Sequence, residues 1–233
     1  MASRTSEQAV RKSGEMGSSS RLAPQQARSQ ETRSRILKAA RKAFAEVGFV
    51  GANLREIAQD ADTTHAMIRY HFGTKDELWR EAVREMFEAL SVVIDGARQQ
   101  AKDLGLDLRE RYRCVTLAHA RYCAQHPEHA RITIMESISG SERFDWMVKE
   151  FVTPAHTTGK YEFDELVAHG VLPAINFASY VYAYVGMLQL PFVLAREAKV
   201  AMDFDFLDPA SVDGHAEAIF NVWVSDRGRS IAD

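Results

Sequence analysis

The densest chemistry in the chain lies in one run, Thr64-His65-Ala66-Met67-Ile68-Arg69-Tyr70-His71-Phe72-Gly73-Thr74-Lys75. Arg69 is the one side chain in it able to grip O6 and N7 of a guanine through two parallel hydrogen bonds. Ile68 and Phe72, spaced i and i+4, would turn toward neighbouring helices, which leaves Thr64, His65, Met67, Arg69 and Tyr70 free to enter a groove. Lys75 falls in the first turn of the next helix, where backbone N–H groups already favour a phosphate. A small helical bundle without a ligand would also satisfy the spacing. Against it stand the aromatic and basic residues left on the outer face of so short a helix.

Three elements must position this run. From Ser29 a 3.6-residue period places Ile36, Ala40, Ala43, Phe44 and Val47 on one stripe, and Gly48 stands where a helix stop belongs. Asn53 is an N-cap, with Glu56 three residues on as an approximate capping box, for a two-turn helix whose stripe is Leu54, Ile57, Ala58 and Ala61. Asp62 tolerates the left-handed conformation of a tight turn, and Thr63-Thr64 caps the helix that ends at Gly73. Thr74 then caps a long helix from Lys75 to about Gln100. Two short helices joined by a three-residue turn, with a third packed across them, form a helix-turn-helix.

The run from Ile57 to Leu78, IAQDADTTHAMIRYHFGTKDEL, resembles the DNA-binding signature of the TetR family of transcriptional regulators. The resemblance extends from Arg33 to Leu78. It includes Ile36-Leu37-Lys38-Ala39-Ala40 followed by Phe44 and Gly48, and the combination of Tyr70-His71-Phe72 with Lys75. It implies an all-α fold, with an N-terminal three-helix helix-turn-helix domain and a larger helical ligand-binding and dimerisation domain. It further implies that His65, Ala66, Met67, Arg69 and Tyr70 face the major groove, and that His71, Tyr70 and Lys75 touch phosphates. Asn53 stands where the family commonly has a phosphate-binding hydroxyl. Arg69 departs from a frequent tyrosine, and Asp62-Thr63 from the Gly-Val pair common in this turn, which leaves the turn geometry open.

Charge follows the same division. Residues 1–84 carry 15 Lys and Arg against 10 Asp and Glu, and the remainder carries 14 against 22, so the net charge of -3 is the sum of a basic third and an acidic body. That asymmetry is expected when one module meets a polyanion, although ordinary charge scatter would also produce it. With 233 residues, 46% of them hydrophobic, the chain has core enough for one large domain or two small ones, which excludes a disulfide-held mini-protein. Cys114 and Cys123, nine residues apart on one helix, would stand about 13 Å apart, too far for a bridge. No apolar run of signal-peptide character follows the N-terminal basic residues, so the expected address is cytoplasmic. Residues 1–28 read as a disordered basic tail, whose Arg4, Arg11, Arg21 and Arg28 either follow phosphates or only solubilise the chain. Residues 29–74 are the expected DNA-binding domain and 75–230 the regulatory and dimerisation domain, joined by the helix from 75 to about 100.

In the body, a helix from Asp107 to Gln125 carries Leu108, Tyr112, Val115, His119 and Tyr122 on one stripe. An imidazole and two phenols on an apolar line suit either a pocket wall or a core histidine bonded to a neighbour. Pro127 opens the next helix, with Ile132, Ile134, Met135 and Ile138. His126 and His129 flank Pro127 with no thiolate or carboxylate cluster nearby, so neither a metal nor a cofactor is expected. An aromatic helix containing Phe144 and Trp146 is predicted to end near Pro154. From Leu166 to Ala195 there is no charged residue. Gly170, Pro173, Asn176 and Pro191 interrupt that stretch, which therefore predicts a helix from about Phe177 to Arg196 buried on several sides, and not a membrane span.

These features predict a homodimeric repressor of a palindromic DNA operator, released when a small apolar or aromatic effector enters a pocket lined by Tyr112, His119, Tyr122, Met135, Phe144, Trp146, Tyr180 and Tyr184. The expected dimer face comprises Val181 and Leu188 with His215, Ile219, Val222 and Trp223 of a last helix, Ser211 to Ser225. An activator, or a regulator without an effector, would share the DNA-binding module. For an enzyme there is no Gly-rich phosphate loop, nucleophile elbow or metal-ligand cluster, and no catalytic residue is assigned.

Overall fold

The computed structural model describes residues 16–224. They form α-helices joined by short turns, with no strand among the described residues. The helices are α1 (Met16–Gly51), α2 (Leu54–Asp60), α3 (His65–Phe72), α4 (Lys75–Asp103), α5 (Leu108–Gln125), α6 (Pro127–Ser139) and α7 (Glu142–Met147). A π-helical turn, Val148–Val152, leads into α8 (Thr153–Ala168), followed by α9 (Phe177–Val193), α10 (Ala195–Met202) and α11 (Pro209–Trp223). The all-α expectation holds.

The head is built by short-range devices that the sequence advertises. Gly48 breaks α1 with φ 70° and ψ 177°, a conformation open to glycine, and the three residues after it are helical again although a stop was expected at Gly48. Asn53 caps α2 by accepting from the Arg55 amide, one position short of the predicted capping box with Glu56. Asp62 adopts φ 48° in the α2–α3 turn, as the turn reading requires. The reciprocal capping box occurs instead at α4: the Thr74 side chain accepts from the Glu77 amide while Glu77 accepts from the Thr74 amide.

Two apolar clusters organise the molecule. The first joins Ile36, Phe44, Ile57, Ile68 and Phe72 of the head to Leu78, Trp79 and Val83 of α4, and continues into Ile132 of α6 and Met147 of α7. The second is formed by α5, α8, α9 and α11 around Tyr112, Tyr184, Leu188, Ile219 and Phe220. Helix α4 is common to both, since Leu90 packs on the second cluster. Helix α1 begins at Met16, inside the segment expected to be a tail, and runs through residues 28 and 29. Residues 1–15, with Arg4 and Arg11, and residues 225–233 lie outside the described residues.

Further along, Pro154 does not end a helix. It occupies the first turn of α8, where its missing N–H costs nothing. Helix α9 stops at Val193, short of Arg196, and α10 continues at a 70° bend. No single helix among the described residues is long and apolar enough to cross a membrane; the bent pair α9 and α10 meets that test only jointly.

Thr74→Ala removes the cap that starts α4. It should destabilise the protein by about 1 kcal/mol, read as a lower urea midpoint at unchanged slope. An unchanged midpoint would mean that the α4 terminus draws no stability from this cap.

Candidate nucleic-acid interface

Helix α3 has two faces. Ile68 (0% exposed) and Phe72 (5%) anchor it in the first cluster, while Ala66, Arg69 and Tyr70 point outward, Tyr70 with 77% of its surface free. His65 and Met67 are half-buried. Thr64 is exposed and caps the helix by accepting from the Met67 amide at 3.3 Å, so its hydroxyl oxygen is already engaged. Asn53 is likewise exposed and likewise occupied by the α2 cap. Among the predicted groove residues, Arg69 and Tyr70 are the large side chains held most fully in the open.

His71 and Lys75 flank this face. The His71 ring stands edge-on to Tyr70 at 5.1 Å, and its Nε2 is buried without a hydrogen-bond partner. Burial first, and the Arg33 charge second, lower its pKa, which favours the neutral ring. Lys75 Nζ donates to the Val50 carbonyl at 3.4 Å and lies 4.8 Å from the centre of the Phe49 ring. Its pKa is lowered by burial and then by Arg143.

One residue escaped the sequence reading. Arg55, exposed at the start of α2, borders an open hollow of about 470 Å³ together with Gln59, Asp62, Thr63 and His65. Its position two residues after the Asn53 cap was the available signal. Several other cations near this face are already paired: Arg35 with Asp62 at 3.3 Å and Lys42 with Asp60 at 3.6 Å.

The eight residues expected to line a pocket separate into two groups. Tyr112, Tyr180 and Tyr184 lie together in the second cluster. Tyr180 donates to the Tyr112 oxygen at 3.1 Å, and the Tyr184 and Thr116 hydroxyls meet at 3.1 Å. His119 is beside them, its ring 6.1 Å from Tyr184 and its Nε2 buried without a partner. Tyr122 turns to the α4 backbone, donating to Met86 O at 2.8 Å and meeting His129 Nδ1 at 3.3 Å. Met135, Phe144 and Trp146 pack elsewhere. Phe144 and Trp146 cover the first cluster, Trp146 against Trp79, and Met135 reaches Gly48. One cavity cannot be lined by both groups. The helical stripes identified apolar faces correctly, but not which neighbour covers each.

The expected dimer residues need a similar correction. Leu188 and Ile219 are 0% and 1% exposed, inside the protomer's own core, because Tyr180, Tyr184, Leu188 and Phe192 form the inward i, i+4 stripe of α9. His215 is half-buried and spends Nε2 on Met187 O at 2.8 Å, while Trp223 is packed on Tyr180 and Val181 is half-buried. Val222 is exposed. The outward stripe of the helix pair is instead Tyr182, Ala183, Gly186 and Leu190 of α9 with Gly214, Ala218 and Val222 of α11. Beside it, α9, α10 and α11 enclose an apolar hollow of about 350 Å³ bordered by Met187, Pro191 and Phe206.

Residues 36–82, spanning the head and the first turns of α4, match the family described as bacterial regulatory proteins, tetR family. The head is therefore similar to the DNA-binding domain of that family, over residues 36–82. It is 30% identical over 107 residues to the HTH-type transcriptional repressor NicS of Pseudomonas putida, a match covering 46% of this chain and 49% of NicS. The chain thus spans about half the length of that curated relative. Its fold is similar to that of a linker-substituted variant of HlyIIR, at 19% identity and a TM-score of 0.66 over 84% of this chain and 98% of that one. It is also similar to the fatty acid degradation regulator FadR of Bacillus halodurans, at 17% identity and a TM-score of 0.59 over 81% and 97%.

Burial also gives the body a pH dependence. His119 is held down to about 4 by burial and then by the Arg98 charge, and His129 to about 3 by burial and then by His119 and His126. Both rings stay neutral in the folded chain, whereas in the unfolded chain they take up protons below about pH 6.5. Their contribution to stability is complete above that value and is lost as pH falls toward about 4 and then about 3. The urea midpoint should decline steadily between about pH 6.5 and pH 4.5, and His119→Gln should flatten the decline by up to about 1.4 kcal/mol per pH unit. A variant profile parallel to the parent's would mean that His119 is protonated in the folded chain.

Proposed function

We propose that this protein is a homodimeric transcription regulator, a repressor, that binds a palindromic duplex operator through α3 and is released by a small apolar or aromatic effector. The observation that carries the DNA-binding reading is the division of α3 into an anchoring face, Ile68 and Phe72, and an outward face carrying Arg69 and Tyr70. A packed bundle without a ligand has no use for a guanidinium and a phenol held in the open on an eight-residue helix. Arg69 reads a base pair. Lys75, with the Asn53 and Thr74 helix starts nearby, neutralises and positions phosphates. Arg55 joins the same set.

Dimerisation supplies what one head lacks. A single recognition helix reads few base pairs, and two-fold symmetry places two of them about 34 Å apart on one face of the duplex. The outward stripe of α9 and α11 supports this arrangement. It is apolar or small along its length, and a Cβ added at Gly186 or Gly214 would meet nothing within 4 Å of the protomer itself. Small residues let helix axes approach closely, so dispersion contacts accumulate along the seam.

The effector reading rests on the buried polar groups of the second cluster. Tyr112, Tyr180, Tyr184 and His119 offer hydroxyls and an unpaired imidazole nitrogen within an apolar surround, the composition of a site that orients an aromatic or apolar molecule. Binding that favours a body conformation with wrongly spaced heads lowers operator affinity by the coupling free energy.

Two experiments test the proposal. In selection from a random duplex pool, Arg69→Ala should relax preference at one base pair in each half-site, at about 1–3 kcal/mol, whereas Lys75→Ala should weaken all sequences alike. Equal weakening of selected and scrambled duplexes by both variants would reduce Arg69 to a backbone contact. Gly214→Arg, whose Cβ would meet nothing within 4 Å inside the protomer, should convert the dimer to a monomer by light scattering and weaken duplex binding with it. A dimer that persists would move the seam elsewhere.

A further inference from the structure

The body touches the head at one place that bears on the phosphate-binding lysine. Glu136, near the end of α6 and only 4% exposed, accepts from Ser141 Oγ at 2.5 Å, and Ser141 in turn caps α7 by accepting from the Phe144 amide. The same carboxylate lies 3.5 Å from the Arg143 guanidinium, whose carbon sits 3.6 Å from the centre of the Phe49 ring. Lys75 Nζ lies against that same ring at 4.8 Å and donates to the carbonyl of the adjacent Val50. On the other side of the bend, the Met135 methyl of α6 stands 3.2 Å from where a Cβ would be on Gly48. A buried carboxylate of the body therefore fixes an arginine, and the arginine and α6 together hold the three-residue bend on which the lysine rests.

We infer that Arg143 is a positioning residue for the Lys75 phosphate contact, linking the α6–α7 corner of the body to the head through the Phe49 ring. This inference rests on the DNA-binding reading and deepens it, by naming a body residue that sets phosphate affinity without itself reading a base. Two cations share one aromatic ring, each attracted by its quadrupole and each repelled by the other. An arriving phosphate relieves that repulsion, so the arrangement is poised for an anion at Lys75. Any rearrangement that withdraws α7 removes the support under Phe49, and Lys75 loses its seat without a change in head spacing.

The test uses the full chain and a random-sequence duplex, because the predicted effect is independent of base sequence. Affinity is measured across a salt series for the parent, Lys75→Gln, Arg143→Gln and the double variant. Lys75→Gln should weaken binding and make the salt slope shallower by about 0.9. Arg143→Gln should weaken binding by about three- to tenfold with a shallower slope of its own, and the double variant should bind no more weakly than Lys75→Gln alone by more than about twofold. Phe49→Leu, which keeps an apolar side chain and removes the shared ring, should reproduce the Arg143→Gln result if that variant fails to fold. Additive losses, or wild-type affinity in Arg143→Gln or Phe49→Leu while Lys75→Gln is weakened, would overturn the inference and leave DNA binding standing. A parent protein without salt-dependent duplex binding would overturn both.

Discussion

A helix of eight residues cannot hold its shape in water, because forming its first turn fixes several residues in exchange for one hydrogen bond. That constraint governs α3 and, through it, much of the molecule. Two buried anchors, Ile68 and Phe72, and caps at both ends, Thr64 and Gly73, substitute for length. The anchors need a surface to bury against, which α1 and α2 supply through Phe44, Ile57 and Ala58, and the first turns of α4 close it with Leu78 and Trp79. The outward face of α3 is thus presented by a structure several times its own size. Arg69 and Tyr70 can point into water because Ile68 and Phe72 on the same two turns do not.

The same cluster explains why head and body are not independent. Trp79 is fully buried, with Trp146 of α7 edge-on at 5.9 Å, and Ile132 and Met147 complete its surround. Farther along α4, Phe87 stacks on Phe151 of the π-helical turn and meets His129 edge-on at 4.5 Å. A displacement of α6 or α7 therefore cannot be absorbed at a loose linker. It must repack aromatic contacts on α4 and at the α1 bend, and close-packed contacts of this kind shift between discrete arrangements instead of deforming smoothly. Ion pairs between α1 and α4, Arg33 with Glu81 and Arg41 with Glu85, add orientation at the surface of that junction.

The head was legible in the sequence because its information is local. Gly48, Asp62 and Gly73 mark the positive-φ positions, Thr64 and Thr74 the caps, and Ile68 with Phe72 the buried face, each readable within a few residues. Where the reading slipped, the deciding contact was distant. The stripe containing Phe144 and Trp146 was recognised as apolar, yet only the packing of α7 on Trp79 assigns it to the head junction and not to a cavity with Tyr184. Likewise α9 is apolar around its whole circumference, so its sequence carries almost no amphipathic phase. Its rotation is set by hydroxyl pairs, Tyr180 with Tyr112 and Tyr184 with Thr116, whose partners lie 68 residues away. Those bonds turn Leu188 inward and leave Tyr182, Gly186 and Leu190 outside.

Charge shows the same limit from another side. The basic surplus of residues 1–84 is a property of the sequence, whereas the field at the interface depends on which cations are already neutralised. Arg33, Arg35, Arg41 and Lys42 each face a carboxylate of the head or of α4, and Arg80 and Arg84 face Asp76 and Glu81. These pairs release few counterions when DNA arrives, since their charge is compensated beforehand. Among the described residues, Arg28, Lys38, Arg55 and Arg69 are exposed and face no carboxylate. The field at the proposed interface depends on where each of these cations is placed. On the proposal that Lys75 meets a phosphate, a buried carboxylate in the body, acting through Arg143 and one phenyl ring, would have leverage over binding that the net charge of the head does not suggest.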